Sequence, residues 1–205
     1  MVIPLFSVSA ISFLSVLLRL LTKSGGLAAF IVGFPCSVDL SYVTLIFWFF
    51  ISSNIFSKMG EQSKVQISDE YRKSIRGAKQ VYYIGLIPSL FAWIDLLGQI
   101  GCIPNNSSWY LQHEKAFFIF AVHYAASNSD TWASEVGALS VGKVRLITNM
   151  KEVPKGTDGG ISLLGTFAAV LGSLSIAVLA NYFSSGILWP VFIIGFIGNI
   201  FDSVW

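Results

Sequence analysis

Apolar residues occur along this chain in long runs, with most of the polar residues gathered in the connections between them. Six runs are long enough to be predicted as membrane-crossing helices, each of which needs about 20 mostly apolar residues. They cover residues 2–21, 41–56, 81–100, 116–136, 160–183 and 187–204. A seventh run, residues 25–36, is short, so it is predicted either to cross or to form a buried or re-entrant helix. The pattern predicts an all-α, polytopic membrane helix bundle with about six transmembrane helices, forming a single integral membrane domain over residues 1–205.

The composition supports a membrane location. Of the 205 residues, 54% are hydrophobic and 12% are charged, whereas an average soluble domain carries about 25% charged residues. The mean hydropathy is +0.70. A net charge of +2 gives no reason to expect a nucleic-acid partner. The expected partner is the lipid bilayer, and the sequence does not determine an oligomeric state.

Basic residues are concentrated in two of the polar connections, residues 57–80 and 138–158. Two predicted crossings separate these loops, so both should face the same side of the membrane. The positive-inside rule makes that side cytosolic. We therefore expect an integral multi-pass membrane protein, with an endomembrane such as the endoplasmic reticulum as one candidate compartment.

Acidic residues inside predicted spans are costly unless they meet a cation, a metal or water. Asp130 and Glu135 both lie near the end of the run 116–136. A continuous helix turns roughly 500° over five residues and would leave them about 140° apart, so joining them needs a break or a second partner. The simpler alternative is that Asp130 anchors a helix end by pairing with Lys143 or Arg145. Asp95 is a separate candidate for a proton path or a lipid-headgroup pocket.

A glycine-rich segment, Lys155-Gly-Thr-Asp-Gly-Gly160, leads into the apolar run 160–183. Its glycines allow positive φ, so consecutive N–H groups can converge on an anion. A helix starting near Gly160 would add its positive N-terminus. Lys155 supplies a mobile charge, Thr157 a hydroxyl, and Asp158, with the two carboxylates of the preceding span, hard oxygens that suit Mg²⁺. These are the parts that phosphoryl transfer requires, and the alternative is a turn whose glycines serve geometry alone.

Two longer strings contain these residues: Asn128-Ser-Asp-Thr-Trp-Ala-Ser-Glu-Val-Gly137 and Val153-Pro-Lys-Gly-Thr-Asp-Gly-Gly-Ile-Ser-Leu-Leu-Gly165. They resemble the signature of the transmembrane protein 19 family, also called domain-of-unknown-function family 92, which includes a plant phytyl-phosphate kinase. The resemblance extends from about Ser24 to the last residues. The chain is also distantly similar to the CTP-dependent dolichol and phytol kinases, whose Asp-x-x-Ala-x-x-x-Gly motif matches Asp130, Ala133 and Gly137.

The resemblance implies a membrane-embedded phosphotransferase that acts on an isoprenoid alcohol or isoprenyl monophosphate. It implies Mg²⁺ and a nucleoside triphosphate donor, with CTP as one candidate. The implied catalytic residues are Asp130, Lys155 and Asp158, and the implied metal ligands are Asp130 and Glu135. The implied nucleotide- or phosphate-binding residues are Asn128, Ser134, Gly137, Gly156, Thr157, Gly159 and Gly160. The alternative function is a multi-pass transporter or lipid-binding protein without kinase activity.

The end of the sequence departs from the family pattern. The chain stops at Asp202-Ser-Val-Trp205, whereas a similar Asp-Ser pair in relatives leads into at least one further helix. We therefore expect a C-terminal truncation relative to the family. Asp202 is either a third acid in the pocket or a polar residue at a span end.

Overall fold

The computed structural model describes residues 2–60, 77–104, 106–108 and 111–204. This part of the chain forms seven α-helices: α1 Val2–Leu17, α2 Lys23–Gly33, α3 Leu40–Lys58, α4 Ala78–Gln99, α5 His113–Gly137, α6 Leu163–Phe183 and α7 Leu188–Val204. A 3-10 helix covers Pro35–Val38, and three short strands are β1 Val144–Leu146, β2 Glu152–Val153 and β3 Gly160–Ile161. Each of the seven predicted apolar runs corresponds to one helix, which confirms the all-α membrane bundle. Residues 61–76, which carry most of the basic side chains of the predicted loop 57–80, lie outside the described residues.

Three described helices, α3, α4 and α6, are long and apolar enough to cross a membrane. The Val8–Leu17 part of α1 and helix α7 are apolar but shorter. Helix α5 has 25 residues, but a polar string occupies its second half. The short run 25–36 forms the 11-residue helix α2 and the 3-10 turn that follows it. At about 1.5 Å rise per residue, α2 is shorter than the hydrocarbon core of a bilayer.

The chain folds as two compact units, of which the first comprises Met1–Phe47 and Ile75–His123. Within this unit, α2 packs against α1 and α4, and Gly85 of α4 lies directly against Val32 of α2. The ring of the fully buried Tyr42 makes edge-to-face contacts with the rings of Phe117 and Phe120. Aromatic packing is therefore part of the core of this unit.

The second unit comprises Trp48–Ser74 and Tyr124–Trp205. Its parts of α3 and α5 run in the same direction, since Phe49 contacts Tyr124 and Phe56 contacts Trp132. After these helices end, Gly60 contacts Leu139, so the chain leaves both at the same end of the unit. This agrees with two basic loops on one side of the membrane, and the cytosolic assignment of that side stays a prediction.

Helix α6 runs antiparallel to α5 at very short range within the second unit. A Cβ added at Gly172 would lie 2.9 Å from the Asn128 carbonyl oxygen, and one added at Gly165 would lie 2.9 Å from the Ala133 carbonyl oxygen. Small residues at such positions let two membrane helices approach closely. The glycines therefore bring the polar string of α5 against the backbone of α6.

The segment between α5 and α6 contains a small sheet that the sequence pattern did not predict. The strand order is β2-β1-β3, and both pairings are antiparallel. The central Arg145 lies opposite Glu152 on one side and Ile161 on the other. Because Gly160 and Ile161 belong to this sheet, the sixth helix starts at Leu163 and not near Gly160. The Ser162 hydroxyl caps it by accepting a hydrogen bond from the Gly165 N–H at 3.1 Å.

Candidate functional site

The polar string of α5 contacts three neighbouring helices, and two of its side chains, Asn128 and Trp132, share Ser52 of α3 as a hydrogen-bond partner. Asn128 is completely buried. Its Nδ2 donates to the Gly172 carbonyl at 2.9 Å and to Ser175 Oγ at 3.2 Å. Its Oδ1 accepts from Ser52 Oγ of α3 at 3.1 Å. Asn128, predicted to bind nucleotide, is thus engaged in hydrogen bonds that tie α5 to α3 and α6.

The next residue, Ser129, connects α5 to α6 and α7. Its hydroxyl donates to the Ala169 carbonyl at 2.8 Å and accepts from Asn199 Nδ2 at 3.1 Å. Asn199 is only 5% exposed, and its Oδ1 has no hydrogen-bond partner among the described residues. A buried polar atom without a partner is unusual in a folded protein and calls for a physical explanation.

The two predicted metal ligands, Asp130 and Glu135, contact different helices. Asp130 is half-buried and lies close enough to Asp202 of α7 for the two charges to interact. Glu135 Oε1 accepts a hydrogen bond from Ser57 Oγ of α3 at 2.6 Å. The angular separation expected for a continuous helix explains this, because residues five apart cannot share one face. The structure therefore brings Asp130 together with Asp202, whose role the sequence had left open.

Asp130 does not pair with Lys143 or Arg145, which was the simpler alternative to a metal site. Lys143 and Arg145 both pair with Glu152 across the β1–β2 ladder. These three side chains are about half exposed or more, so the pairs add little stability. Within the described residues, the carboxylate of Asp130 accepts no hydrogen bond from a side chain or a backbone N–H.

The predicted phosphate-binding segment forms the connection between β2 and β3. Lys155, Gly156, Thr157 and Asp158 are exposed, and Gly159 and Gly160 are half-buried. Gly156 has φ +81° and Gly159 φ +71°, each after a residue with negative φ. Each of these glycines is the third residue of a hydrogen-bonded turn, Pro154–Thr157 and Thr157–Gly160, and a positive φ at that position is typical of a type II turn.

Hydrogen bonds inside this connection occupy two of its backbone N–H groups. The N–H of Thr157 is bonded to the Pro154 carbonyl at 3.4 Å, and the N–H of Gly160 to the Thr157 carbonyl at 2.9 Å. The Thr157 hydroxyl also donates to the Pro154 carbonyl, at 2.8 Å. Within the described part of the chain, the backbone N–H groups of Lys155, Gly156, Asp158 and Gly159 have no hydrogen-bond partner. These four are the donors available to a ligand.

The connection also touches the acidic end of α7. A Cβ at Gly159 would lie 2.8 Å from the Ser203 carbonyl oxygen, so only glycine allows this approach. Ser203 follows Asp202, and Asp202 is the neighbour of Asp130. Within the second unit, the glycine-rich connection therefore contacts α7 at the residue that follows Asp202. No group of three or more His, Cys, Asp or Glu side chains suited to a metal occurs among the described residues.

The remaining predicted residues on α5 have local roles in this structure. Ser134 is exposed, and its hydroxyl donates to the Asp130 carbonyl at 3.0 Å. A Cβ at Gly137 would lie 3.3 Å from Gly165 Cα, so this glycine permits close contact with the start of α6. Their assignment to nucleotide binding stays a prediction.

A second polar cluster lies in the first unit around Asp95, which is 2% exposed. Its carboxylate accepts from the Tyr42 hydroxyl at 2.8 Å and from Gln99 Nε2 at 3.1 Å, and His113 Nδ1 lies 2.7 Å from it. The sequence singled out Asp95 but did not reveal these partners. Only the spacing of Gln99, four residues along the same helix, was a visible signal.

The helices, their close glycine contacts and the acids inside the bundle define a polytopic membrane protein with a polar site between helices. The chain belongs to the integral membrane protein family DUF92, which matches residues 6–205. This confirms the family to which the two motifs pointed.

Relatives of this chain occur in archaea and plants. An uncharacterized membrane protein of Methanocaldococcus jannaschii is 35% identical over 91% of this chain and 73% of its own length. Protein PGR of Arabidopsis thaliana is 32% identical over 83% of this chain and 60% of its own length. Protein VTE6, chloroplastic, of the same plant is 28% identical over 77% of this chain and 46% of its own length. No solved structure matches the chain.

Proposed function

We propose that this protein is a membrane-embedded phosphotransferase that transfers a phosphoryl group from a nucleoside triphosphate to an isoprenoid alcohol or isoprenyl monophosphate. One observation carries the proposal. The charges of the half-buried Asp130 and of Asp202 interact, and Ser203, the residue after Asp202, contacts Gly159 of the connection Lys155–Gly160. The family resemblance to a plant phytyl-phosphate kinase supports the same chemistry.

The Lys155–Gly160 connection would hold the phosphates of the donor. The backbone N–H groups of Lys155, Gly156, Asp158 and Gly159 would donate to the phosphate oxygens, and the two hydrogen-bonded turns hold the backbone around them. Lys155 forms no ion pair among the described residues, so its ammonium is available to the phosphates. Fixed donors combined with a mobile cation suit a group whose charge is spread over several oxygens.

Mg²⁺ fits the carboxylate side of the site. Two neighbouring acids without a cation repel each other, and Mg²⁺ commonly binds proteins through one or two carboxylates together with substrate phosphates. Asp130 and Asp202 would hold the ion, which supplies neutralisation of phosphate charge when bound. The acids themselves orient the donor relative to the glycine-rich connection.

The transfer is balanced without a further reactant. The acceptor oxygen forms a bond to the γ-phosphorus, the bond from that phosphorus to the β-bridging oxygen breaks, and a nucleoside diphosphate leaves. With an alcohol acceptor the hydroxyl proton passes to a carboxylate, for which the exposed Asp158 is the candidate. With a monophosphate acceptor the attacking oxygen is already deprotonated.

The lipid acceptor would approach from the bilayer. Large apolar side chains near the site are exposed, including Leu163 and Phe167 in the first turns of α6 and Phe201 in the last turn of α7. A prenyl chain dissolved in the membrane can lie against such a surface while its polar head reaches the acids. The apolar prenyl chain would thereby stay in the hydrocarbon of the bilayer while the charged head group lies in the polar site.

The test uses the chain in lipid nanodiscs with Mg²⁺, γ-labelled CTP or ATP, and a panel of isoprenyl alcohols and monophosphates. Asp130→Asn removes the central acid, and Glu114→Gln is the matched control. Glu114 lies on the same helix, is exposed, and is far from the polar string. We expect label in one lipid product with the wild type and the control, and none with Asp130→Asn.

Absence of labelled lipid together with absence of nucleotide binding would overturn the proposal. The alternative would then be a transporter or lipid-binding protein. Lipid or ion flux that depends on Asp130 would identify that alternative.

A further inference from the structure

Helix α7 runs alongside α5 in a parallel register that can be followed turn by turn. Gly195 lies against Ala125, Gly198 against Ala126, and Asn199 against Ser129. The contacted positions increase together on both helices, so the next turn of α7 faces the next turn of α5. This register places Asp202 beside Asp130, in agreement with the interaction between their charges.

The two carboxylates have no positive partner in the described part of the chain. Asp202 is exposed and Asp130 is half-buried, and neither takes part in an ion pair or accepts a hydrogen bond there. Two like charges that are close enough to interact are unfavourable unless a cation or a proton joins them. Glu135 cannot replace either acid without leaving Ser57, to which it is hydrogen-bonded.

An independent observation comes from Asn199, one turn before Asp202 on the same helix. The single hydroxyl hydrogen of Ser129 is used on the Ala169 carbonyl, so Ser129 Oγ accepts from Asn199 and the amide must present Nδ2 to it. The Oδ1 atom of Asn199 is then left buried without a donor among the described residues. Amide oxygens are good ligands for hard cations.

We propose that Asp130, Asp202 and the Oδ1 atom of Asn199 form a divalent-cation site between α5 and α7, which the phosphates of a nucleotide complete. The inference rests on the proposed function for the nature of the nucleotide. It adds Asn199 to the two carboxylates named above and leaves out Glu135, the second metal ligand that the family resemblance implied. Three protein oxygens are few for Mg²⁺, so the ion should bind weakly alone and much more tightly with nucleotide.

Binding of Mn²⁺ to the chain in nanodiscs, followed by electron paramagnetic resonance with and without CTP, tests the site without reference to activity. We expect at least a tenfold loss of Mn²⁺ affinity in Asp130→Asn and in Asp202→Asn. Glu135→Gln is the matched control and should remain within about twofold of the wild type. Asp202 is exposed near the end of α7, so its amide variant should fold normally. Wild-type affinity in Asp202→Asn, or loss of affinity in Glu135→Gln, would overturn the inference.

A thiol exchange separates direct ligation from a remote charge effect. In a Cys102→Ser background, which removes the exposed free thiol, Asp202→Cys should gain affinity for Cd²⁺ and lose affinity for Mn²⁺. No gain in Cd²⁺ affinity would count against ligation.

The two proposals fail in different ways. If lipid labelling depends on Asp130 but Mn²⁺ binding ignores Asp202, the cation site is wrong and the phosphotransferase stands. If Mn²⁺ binds through both acids but no lipid is ever labelled, the site stands and the phosphotransferase is wrong.

Discussion

Replacing Gly172 by alanine tests whether the close approach of α5 and α6 holds the second unit together. The added Cβ would lie 2.9 Å from the Asn128 carbonyl oxygen and 3.0 Å from Ser129 Cα, whereas ordinary van der Waals contact begins near 3.4 Å. Both neighbouring atoms belong to helix backbone and cannot rotate away. The two helices must therefore separate by several tenths of an ångström.

Three effects contribute to the expected change in the free energy of unfolding. Overpacking of this kind costs about 1–3 kcal/mol. Separation also weakens the 2.9 Å hydrogen bond from Asn128 to the Gly172 carbonyl, which is worth about 1 kcal/mol. The higher helix propensity of alanine offsets about 1 kcal/mol. We expect a net destabilisation of about 1–3 kcal/mol.

Equilibrium unfolding in mixed micelles, titrated with a denaturing detergent, measures the change. The matched control is Gly142→Ala, where the nearest atom to the new Cβ is Ser140 Oγ at 3.6 Å and φ is not positive. That variant should remain within about 0.5 kcal/mol of the wild type. Equal stability of Gly172→Ala and the wild type, or an equal loss in the control, would refute the reasoning.

Three further predictions concern single polar side chains. Asn128→Ala should lose about 2–3 kcal/mol of stability, because it breaks three hydrogen bonds between helices. Its Kd for nucleotide should equal that of the wild type. A weaker Kd at unchanged stability would instead make Asn128 a nucleotide-binding residue. Lys155→Gln should show the opposite result: the affinity for CTP should fall about tenfold, and the Tm should not change, since Lys155 is exposed. An unchanged affinity for CTP would show that Lys155 does not bind the nucleotide. Asp95→Asn should lower the free energy of unfolding by about 1–3 kcal/mol, because its carboxylate joins Tyr42, Gln99 and His113. The control is Glu114→Gln, at an exposed position. Equal Tm values for the two variants would contradict the structural role of this cluster.

The helices could be read from the sequence because each one is a local property of the chain. A membrane helix satisfies its backbone hydrogen bonds within a single segment, so a long apolar run is enough to predict it. The seven runs and the seven helices agree to within a few residues at most ends. Helical periodicity also anticipated that Asp130 and Glu135 would not share a face.

The three-stranded sheet was missed because its strands have only two or three residues. Alternation of apolar and polar side chains cannot be recognised over so short a length. The strands pair across turns, with Arg145 opposite both Glu152 and Ile161, and such pairing is not visible in a local sequence pattern. Because β3 contains Gly160, α6 starts at Leu163 and not near Gly160 as predicted.

The sequence alone determined the class of protein, the order of its helices and the residues on which chemistry could rest. Which acids become neighbours was decided only by the tertiary structure. Asp202 reaches Asp130 because glycines at positions 195 and 198 let α7 lie against α5 in one register. Apolar runs specify that helices form but not which faces meet, since lipid accepts an apolar face as readily as another helix does. The meeting of the faces depends on small residues and interhelical hydrogen bonds, which act only after the chain has folded.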